Sequence, residues 1–306
     1  MREGIVRKIQ AIIGCAAMLA AVASSADAQA QSQSQSKDSS AANTASSPDV
    51  NLTPRRVVFG PNDHGVKEIT VFNRTNKTAT YTIVLVDEAM TPDGSLVTLD
   101  KAPEDEKAKL KSATAWIRYS PRQVTLGPQE AQTVRVQVRR PADAPPGEYR
   151  THFSVTAVPP PDTGVDINTA TSDAQSNELK IALTPVYGIM IPIIVRTGEL
   201  AAQAGITDVR LVKGSAREGV QFDITRSGDR SVYGGIDVYL VGQGGEKKIA
   251  GVRGVGVYGE IDHRQIVLPI DPKAGPIAPG SRVKIVYTDD ELNPGKVLAE
   301  TEATLS

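Results

Sequence analysis

Residues 177–196 read NELKIALTPVYGIMIPIIVR. From Leu179 to Val195 the odd positions carry Leu, Ile, Leu, Pro, Tyr, Ile, Ile, Ile and Val, and the even ones Lys, Ala, Thr, Val, Gly, Met, Pro and Ile. A period of two with one fully apolar face is the pattern of a strand. At about 3.3 Å per residue the run would extend roughly 55 Å, several times the length of an ordinary strand. Successive backbone N–H groups point to opposite edges of a strand and proline has none, so Pro185 and Pro192, one odd and one even, remove donors on both edges. The stretch therefore cannot be one regular central strand. It divides near Pro185 into an apolar segment over 177–184 and a strand over 186–196 that closes a domain.

Upstream, short β-branched runs bounded by Pro, Gly and Asn recur: VNLTPRRVVF (50–59), KEITVFNRT (67–75), ATYTIVLVDE (79–88), TAWIRYSPRQVTL (114–126), QTVRVQVRR (132–140) and YRTHFSVTAV (149–158). With the closing strand these predict an antiparallel sandwich of immunoglobulin type. In QTVRVQVRR, Val134, Val136 and Val138 face a core and Thr133, Arg135, Gln137 and Arg139 face water. The segment PEDEKAKLKS (103–112) reads as a short surface helix or charged loop, and residues 158–176 read as a long loop. Beyond Thr197-Gly198 a second β-rich set begins, from AGITDVRLV (204–212) to KVLAETEATL (296–305), with shorter strands and turns richer in glycine. The expected fold class is all-β, with two immunoglobulin-like β-sandwich domains over 48–197 and, smaller, over 198–306.

At the N-terminus, Arg2, Arg7 and Lys8 precede the apolar run AIIGCAAMLAAVA, and small residues at Ala26-Asp27-Ala28 or Ala28-Gln29-Ala30 offer a cleavage site. This is the pattern of a secretory signal peptide over 1–28. Ile12-Ile13-Gly14-Cys15 also permits a lipoprotein reading in which Cys15 is acylated. Cys15 is the single cysteine, so a chain cleaved after Ala28 has neither a disulfide nor a thiolate metal site. Residues 29–47, almost all Gln, Ser and Ala, are expected to be a disordered tether. Leaving out Arg2, Arg7, Lys8, Glu3 and Asp27 reduces 34 basic and 35 acidic residues to 31 and 33. That near-balance points to neither nucleic acid nor an anionic membrane surface. The mature chain is expected in the periplasm of a host that has one.

No catalytic constellation stands out. His64, His152 and His263 are far apart, and His152 falls in a predicted strand as a partly buried structural residue. Serine-elbow, zinc-protease, P-loop and calcium-loop motifs are missing from the sequence. The run Gly251-Val252-Arg253-Gly254-Val255-Gly256 is followed by strand rather than by a helix N-terminus, so it reads as turn or strand glycine and not as a phosphate loop. The triplets starting at Asn51, Asn73 and Asn76 match a glycosylation pattern but are better explained as turns.

The remaining signal is hydrophobic and strand-borne. Leu179, Ile181 and Leu183 form an apolar ladder, with Lys180, Ala182 and Thr184 on the milder face. An edge strand of that kind invites aggregation unless a partner strand covers it. In order, VNLTPRRVVF, PRQVTLGPQEAQTVRV, PPGEYRTHFSVTAVPP and NELKIAL resemble the PapD-like periplasmic pilus chaperones of the chaperone/usher pathway, over residues 50 to about 196. Chaperone–pilin pairs are a known instance of β-strand addition.

The resemblance implies a non-enzymatic protein without cofactor, metal or small-molecule substrate, whose partners are incomplete pilus subunits and an outer-membrane usher. It places the donor residues at Leu179, Ile181 and Leu183 and the ligand of the subunit's C-terminal carboxylate at Arg56. It further implies an interdomain ion pair using Glu148, with Arg196 as partner. Two positions depart from the family pattern. Gly188 stands where a lysine normally completes the carboxylate site, and Pro146-Gly147-Glu148 replaces an Asp-Arg-Glu turn. An alternative from another class is an envelope-tethered structural or adhesive module that keeps one partner permanently.

Overall fold

A computed structural model of the chain describes residues 50–159, 186–213 and 218–305. The leader, Cys15, the 29–47 segment and the expected donor residues Leu179, Ile181 and Leu183 lie outside the described residues.

The first sandwich contains β1 (Val50–Thr53), β2 (Val57–Phe59), β3 (Val66–Asn73), β4 (Ala79–Val86), a hairpin of β5 (Glu88–Met90) and β6 (Leu96–Thr98), and helix α1 (Glu104–Lys109). It continues with β7 (Ile117–Ser120), β8 (Gln123–Leu126), β9 (Ala131–Val138), β10 (Gly147–Ala157) and β11 (Gly188–Thr197). One sheet runs β1-β3-β9-β7 and the other β2-β11-β10-β4-β8. These orders are the A-B-E-D and G-F-C sheets of an immunoglobulin sandwich.

Two runs expected as single strands are broken. Residues 50–59 split into β1 in one sheet and β2 in the other, and residues 114–126 split into a 3-10 turn (Thr114–Trp116), β7 and β8. Pro54 and Pro121 sit at the two breaks, where a residue without an N–H cannot continue a ladder and the chain crosses between sheets. The β5–β6 hairpin escaped the sequence reading because three-residue strands are too short to show a period.

Alternation builds the first core. Ile69 and Val71, Tyr81 and Ile83, Val134 and Val136, Phe153 and Val155, and Ile191, Ile193 and Val195 pack in one cluster. Near the start of β10, Tyr149 stacks on Trp116 and its hydroxyl donates to the Pro145 carbonyl at 3.1 Å, the tyrosine corner of such sandwiches. Asn73 is fully buried and its amide donates to the carbonyls of Lys77, Leu126 and Gly127, so the Asn73-Arg74-Thr75 triplet is a structural turn.

The second sandwich comprises β12 (Ala202–Lys213), β13 (Glu218–Gly228), β14 (Val232–Gly242), β15 (Gly245–Val257), β16 (His263–Pro269), β17 (Arg282–Asp289) and β18 (Val297–Thr304), in sheets β12-β13-β16 and β15-β14-β17-β18. Its strands are not shorter than those of the first. β15 has 13 residues and β12 has 12, against 11 for β10. Of the glycines read as turn or strand residues, Gly251, Gly254 and Gly256 lie inside β15; Gly234 lies in β14, where a Cβ would collide with the Thr288 carbonyl oxygen. Glycine here permits close strand approach and bulges rather than chain reversal.

β11 serves both cores. Its odd side chains fill the first, while Ile194 packs with Val220, Phe222, Ile236 and Tyr287 in the second, joined by Met90 from β5. A strand apolar on both faces is explained by a position between two cores.

Candidate functional site at the cleft between the sandwiches

β10 and β11 are antiparallel, with Glu148 opposite Arg196. Arg196 Nε donates to Glu148 Oε2 at 2.9 Å, and its Nη1 pairs with Glu291 Oε1 from the loop between β17 and β18. Arg56 lies just ahead of β2, which runs parallel to β11. Arg56 takes the other oxygen of the same carboxylate, with Nε 2.9 Å and Nη2 2.7 Å from Glu291 Oε2. Its guanidinium also donates to Ser231 Oγ at 3.2 Å and lies 4.5 Å over the Tyr233 ring. Glu148 Oε1 accepts the Ser231 N–H at 3.1 Å.

The Glu148–Arg196 pair, expected to bridge the domains, is thus a cross-strand pair within the first sandwich. Around this pair the bridging contacts are those of Arg56 and Arg196 with Glu291, and of Ser231 with Glu148 and Arg56. Arg56 and Arg196 side chains are 8% and 5% exposed, so each needs an anion beside it. Burial works against the charge on Arg196, but the Glu148 and Glu291 carboxylates outweigh it and raise its pKa above the ordinary value. Asp289 sets the position of Glu291, because its carboxylate accepts the N–H groups of Glu291, Leu292 and Asn293 at 2.7, 3.1 and 3.0 Å.

Two residues along β10, Arg150 forms a two-pronged pair with Glu260, with Nη1–Oε2 at 2.9 Å and Nη2–Oε1 at 2.5 Å. Glu260 Oε1 also accepts the Met90 N–H, Arg150 Nη2 donates to the Glu88 carbonyl, and the guanidinium lies 3.8 Å over the Tyr258 ring. His152 follows on the same face. Burial, reinforced by the Arg150 charge, holds its pKa down at about 3, so the ring is neutral near pH 7.

Gly188 is not part of this cluster. Val57 pairs with Ile193, so Arg56 stands beside Pro192, and Gly188 is four residues, about 13 Å, farther along β11. The second guanidinium in the cleft comes from Arg196 instead. Along β11 the odd residues bond to β10, as the bond from Ala157 N–H to the Tyr187 carbonyl shows. Even residues turn to the other edge, where β2 covers only 193–195. Gly188 and Met190 therefore line an edge that has no partner strand among the described residues, and Pro192, which has no N–H and stands beside the start of β2, ends it.

Sequence reasoning missed Glu291, Ser231, Tyr233, Tyr258 and the Arg150–Glu260 pair. A signal for Arg150 was present: Glu148, Arg150 and His152 put three ionisable side chains in succession on one face of β10. Glu291 sits in TDDELN (288–293), which reads as an ordinary acidic turn. Among the described residues no group of three metal-ligating side chains occurs.

No family model and no curated protein matches the sequence. Solved structures do match. The YadV chaperone is similar at 15% identity and a TM-score of 0.40, covering 84% of this chain and 100% of its own. The Pseudomonas aeruginosa CupB2 chaperone is similar at 12% identity and a TM-score of 0.41, over 84% and 100%. The complex of the Salmonella enterica SafA pilin with the SafB chaperone matches at 15% identity and a TM-score of 0.38, over 84% and 96%.

Proposed function

We propose that this protein is a PapD-like periplasmic chaperone, without enzymatic activity, that binds incomplete pilus subunits by donor-strand complementation and delivers them to an outer-membrane usher. The observation that supports this most is the setting of β11. Its open edge over 188–190 follows, in sequence, the segment carrying Leu179, Ile181 and Leu183, and its far end carries Arg196 into the cleft beside Arg56.

In this reading main-chain hydrogen bonds along the open edge extend the subunit's sheet. The three apolar side chains fill the groove left by the subunit's missing strand, each contributing about 1.5 to 3 kcal/mol on burial. The subunit's terminal carboxylate enters the cleft, where two guanidiniums can hold it in a geometry that also sets the strand register. Arg56 is the first of these and Arg196 the second, in place of the lysine absent at Gly188.

The test is co-expression in a periplasm with a candidate incomplete pilin. A one-to-one complex is expected, lost with Leu183→Glu and weakened with Arg56→Ala. A complex that survives Leu183→Glu would rule out donor-strand complementation for that pair.

A further inference from the structure

We infer that Glu291 is a resident stand-in for a partner's carboxylate, so that the cleft is self-occupied until the turn between β17 and β18 releases it. The inference rests on the reading of Arg56 as a carboxylate ligand given above. Arg56 and Arg196 approach one carboxylate from two sides, each taking a different oxygen. That is the arrangement a bound terminal carboxylate would need, and in the free protein it is filled from within.

Two features make the occupant exchangeable. Glu291 belongs to a turn rather than a strand, and at 13% exposure it is the wettest of the four charged residues in the cluster. With Arg196 it lines an open cleft of about 970 Å³, whose wall includes Val58, Asn62, Leu200, Arg230 and Leu292, so a route from solvent reaches the pair. Replacing one carboxylate by another keeps the charge count beside the buried guanidiniums constant. The exchange therefore avoids the large cost of leaving either arginine unpaired. Glu148 remains on Arg196 throughout, and the departing Glu291 gains water. A partner strand that lacks a free carboxylate cannot make this trade, so the device selects for a carboxylate, which every chain terminus carries.

The test uses the full chain with Glu291→Ala and Glu291→Gln, the second nearly isosteric in case the first folds poorly. Sodium acetate is the first probe, compared with sodium chloride at equal ionic strength during thermal unfolding. Both variants should melt below wild type, and acetate but not chloride should recover part of the loss in Glu291→Ala. Absence of acetate-specific recovery would overturn the inference.

The second probe is a peptide copying the C-terminal segment of the subunit recovered in the complex, as free acid and as amide. The free acid should bind Glu291→Gln about tenfold more tightly than wild type, because the competent fraction rises, while the amide should not distinguish them. Equal affinity of both proteins for the acid, with the subunit still held by wild type, refutes the stand-in alone. Failure of every form to hold subunit or peptide refutes the chaperone reading itself.

Discussion

Glu260 and Glu291 each bring a carboxylate from a turn of the second sandwich to arginines of the first, yet they are held in different ways. Glu260 is flanked by buried Tyr258 and Ile261, accepts a backbone N–H from Met90, and is 3% exposed opposite an arginine that is 4% exposed. Glu291 is followed by Leu292, which is largely exposed, and its own neighbours are the side chains of two arginines. Both pairs join the same two bodies and both border a cleft, of about 340 Å³ at Arg150 and Glu260 and about 970 Å³ at Arg196 and Glu291, but the first pair is the more deeply buried. Ion pairs across one interface can therefore play unlike parts: the more buried pair fixes how the bodies meet, and in the proposed reading the wetter one exchanges its anion.

The largest effect should come from the more buried pair. Arg150→Ala strands the Glu260 carboxylate and removes the stack on Tyr258, and breaking a buried pair in this way costs about 3 to 5 kcal/mol. Urea unfolding should show that loss, together with a split of the transition as the two sandwiches uncouple. A loss below about 1 kcal/mol would place the pair among exposed ones and dissolve the contrast with Glu291.

Next in size is a pH effect beside the Arg150–Glu260 pair. The pKa of His152 is near 3 in the folded chain, against 6.5 for the ordinary group, through burial and then the Arg150 charge, partly offset by Asp87. The unfolded chain takes up the proton first, so this contribution to stability is intact above pH 6.5 and declines as pH falls toward 3. The slope approaches about 1.4 kcal/mol per pH unit. Comparing urea midpoints at pH 7 and pH 5 should show the decline in wild type and its near absence in His152→Gln. Equal slopes in the two proteins would mean that His152 does not carry the pH dependence.

Much of the fold was legible because alternation reports burial directly, as in QTVRVQVRR, where Val134 and Val136 are in the core and Arg135 is outside. Strand breaks at Pro54 and Pro121 were harder, since a proline forbids a ladder bond without saying to which sheet the chain crosses. At the cleft, Arg56, Glu148 and Arg196 were reached through a family resemblance. Glu291, the partner that Arg56 and Arg196 share, was not, because it lies 235 residues from Arg56 and nothing local marks a turn acid as the neighbour of two arginines. Gly188 misled for a related reason: register, which places Arg196 and not residue 188 in the cleft, is set by the parallel pairing of β2 with β11.

The smallest effect concerns Asp289, which touches neither arginine and shapes the turn that carries Glu291. Asp289→Asn keeps one carbonyl oxygen but turns the other acceptor into a donor, so at least one of the three N–H groups now met by the carboxylate loses its partner. These groups are only partly buried and water can replace the lost bond, so stability should fall by about 1 kcal/mol. The consequence for the cleft should be larger than the consequence for the fold. A slacker turn holds Glu291 less firmly between Arg56 and Arg196, and the free-acid peptide should bind a few-fold better, in the direction of Glu291→Gln. Amide exchange at Met90, bonded to Glu260, should stay as slow as in wild type. If Asp289→Asn instead destabilised the chain as much as Arg150→Ala while leaving peptide affinity unchanged, the turn would be a second fixed joint, and the difference between the two carboxylates would be one of exposure alone.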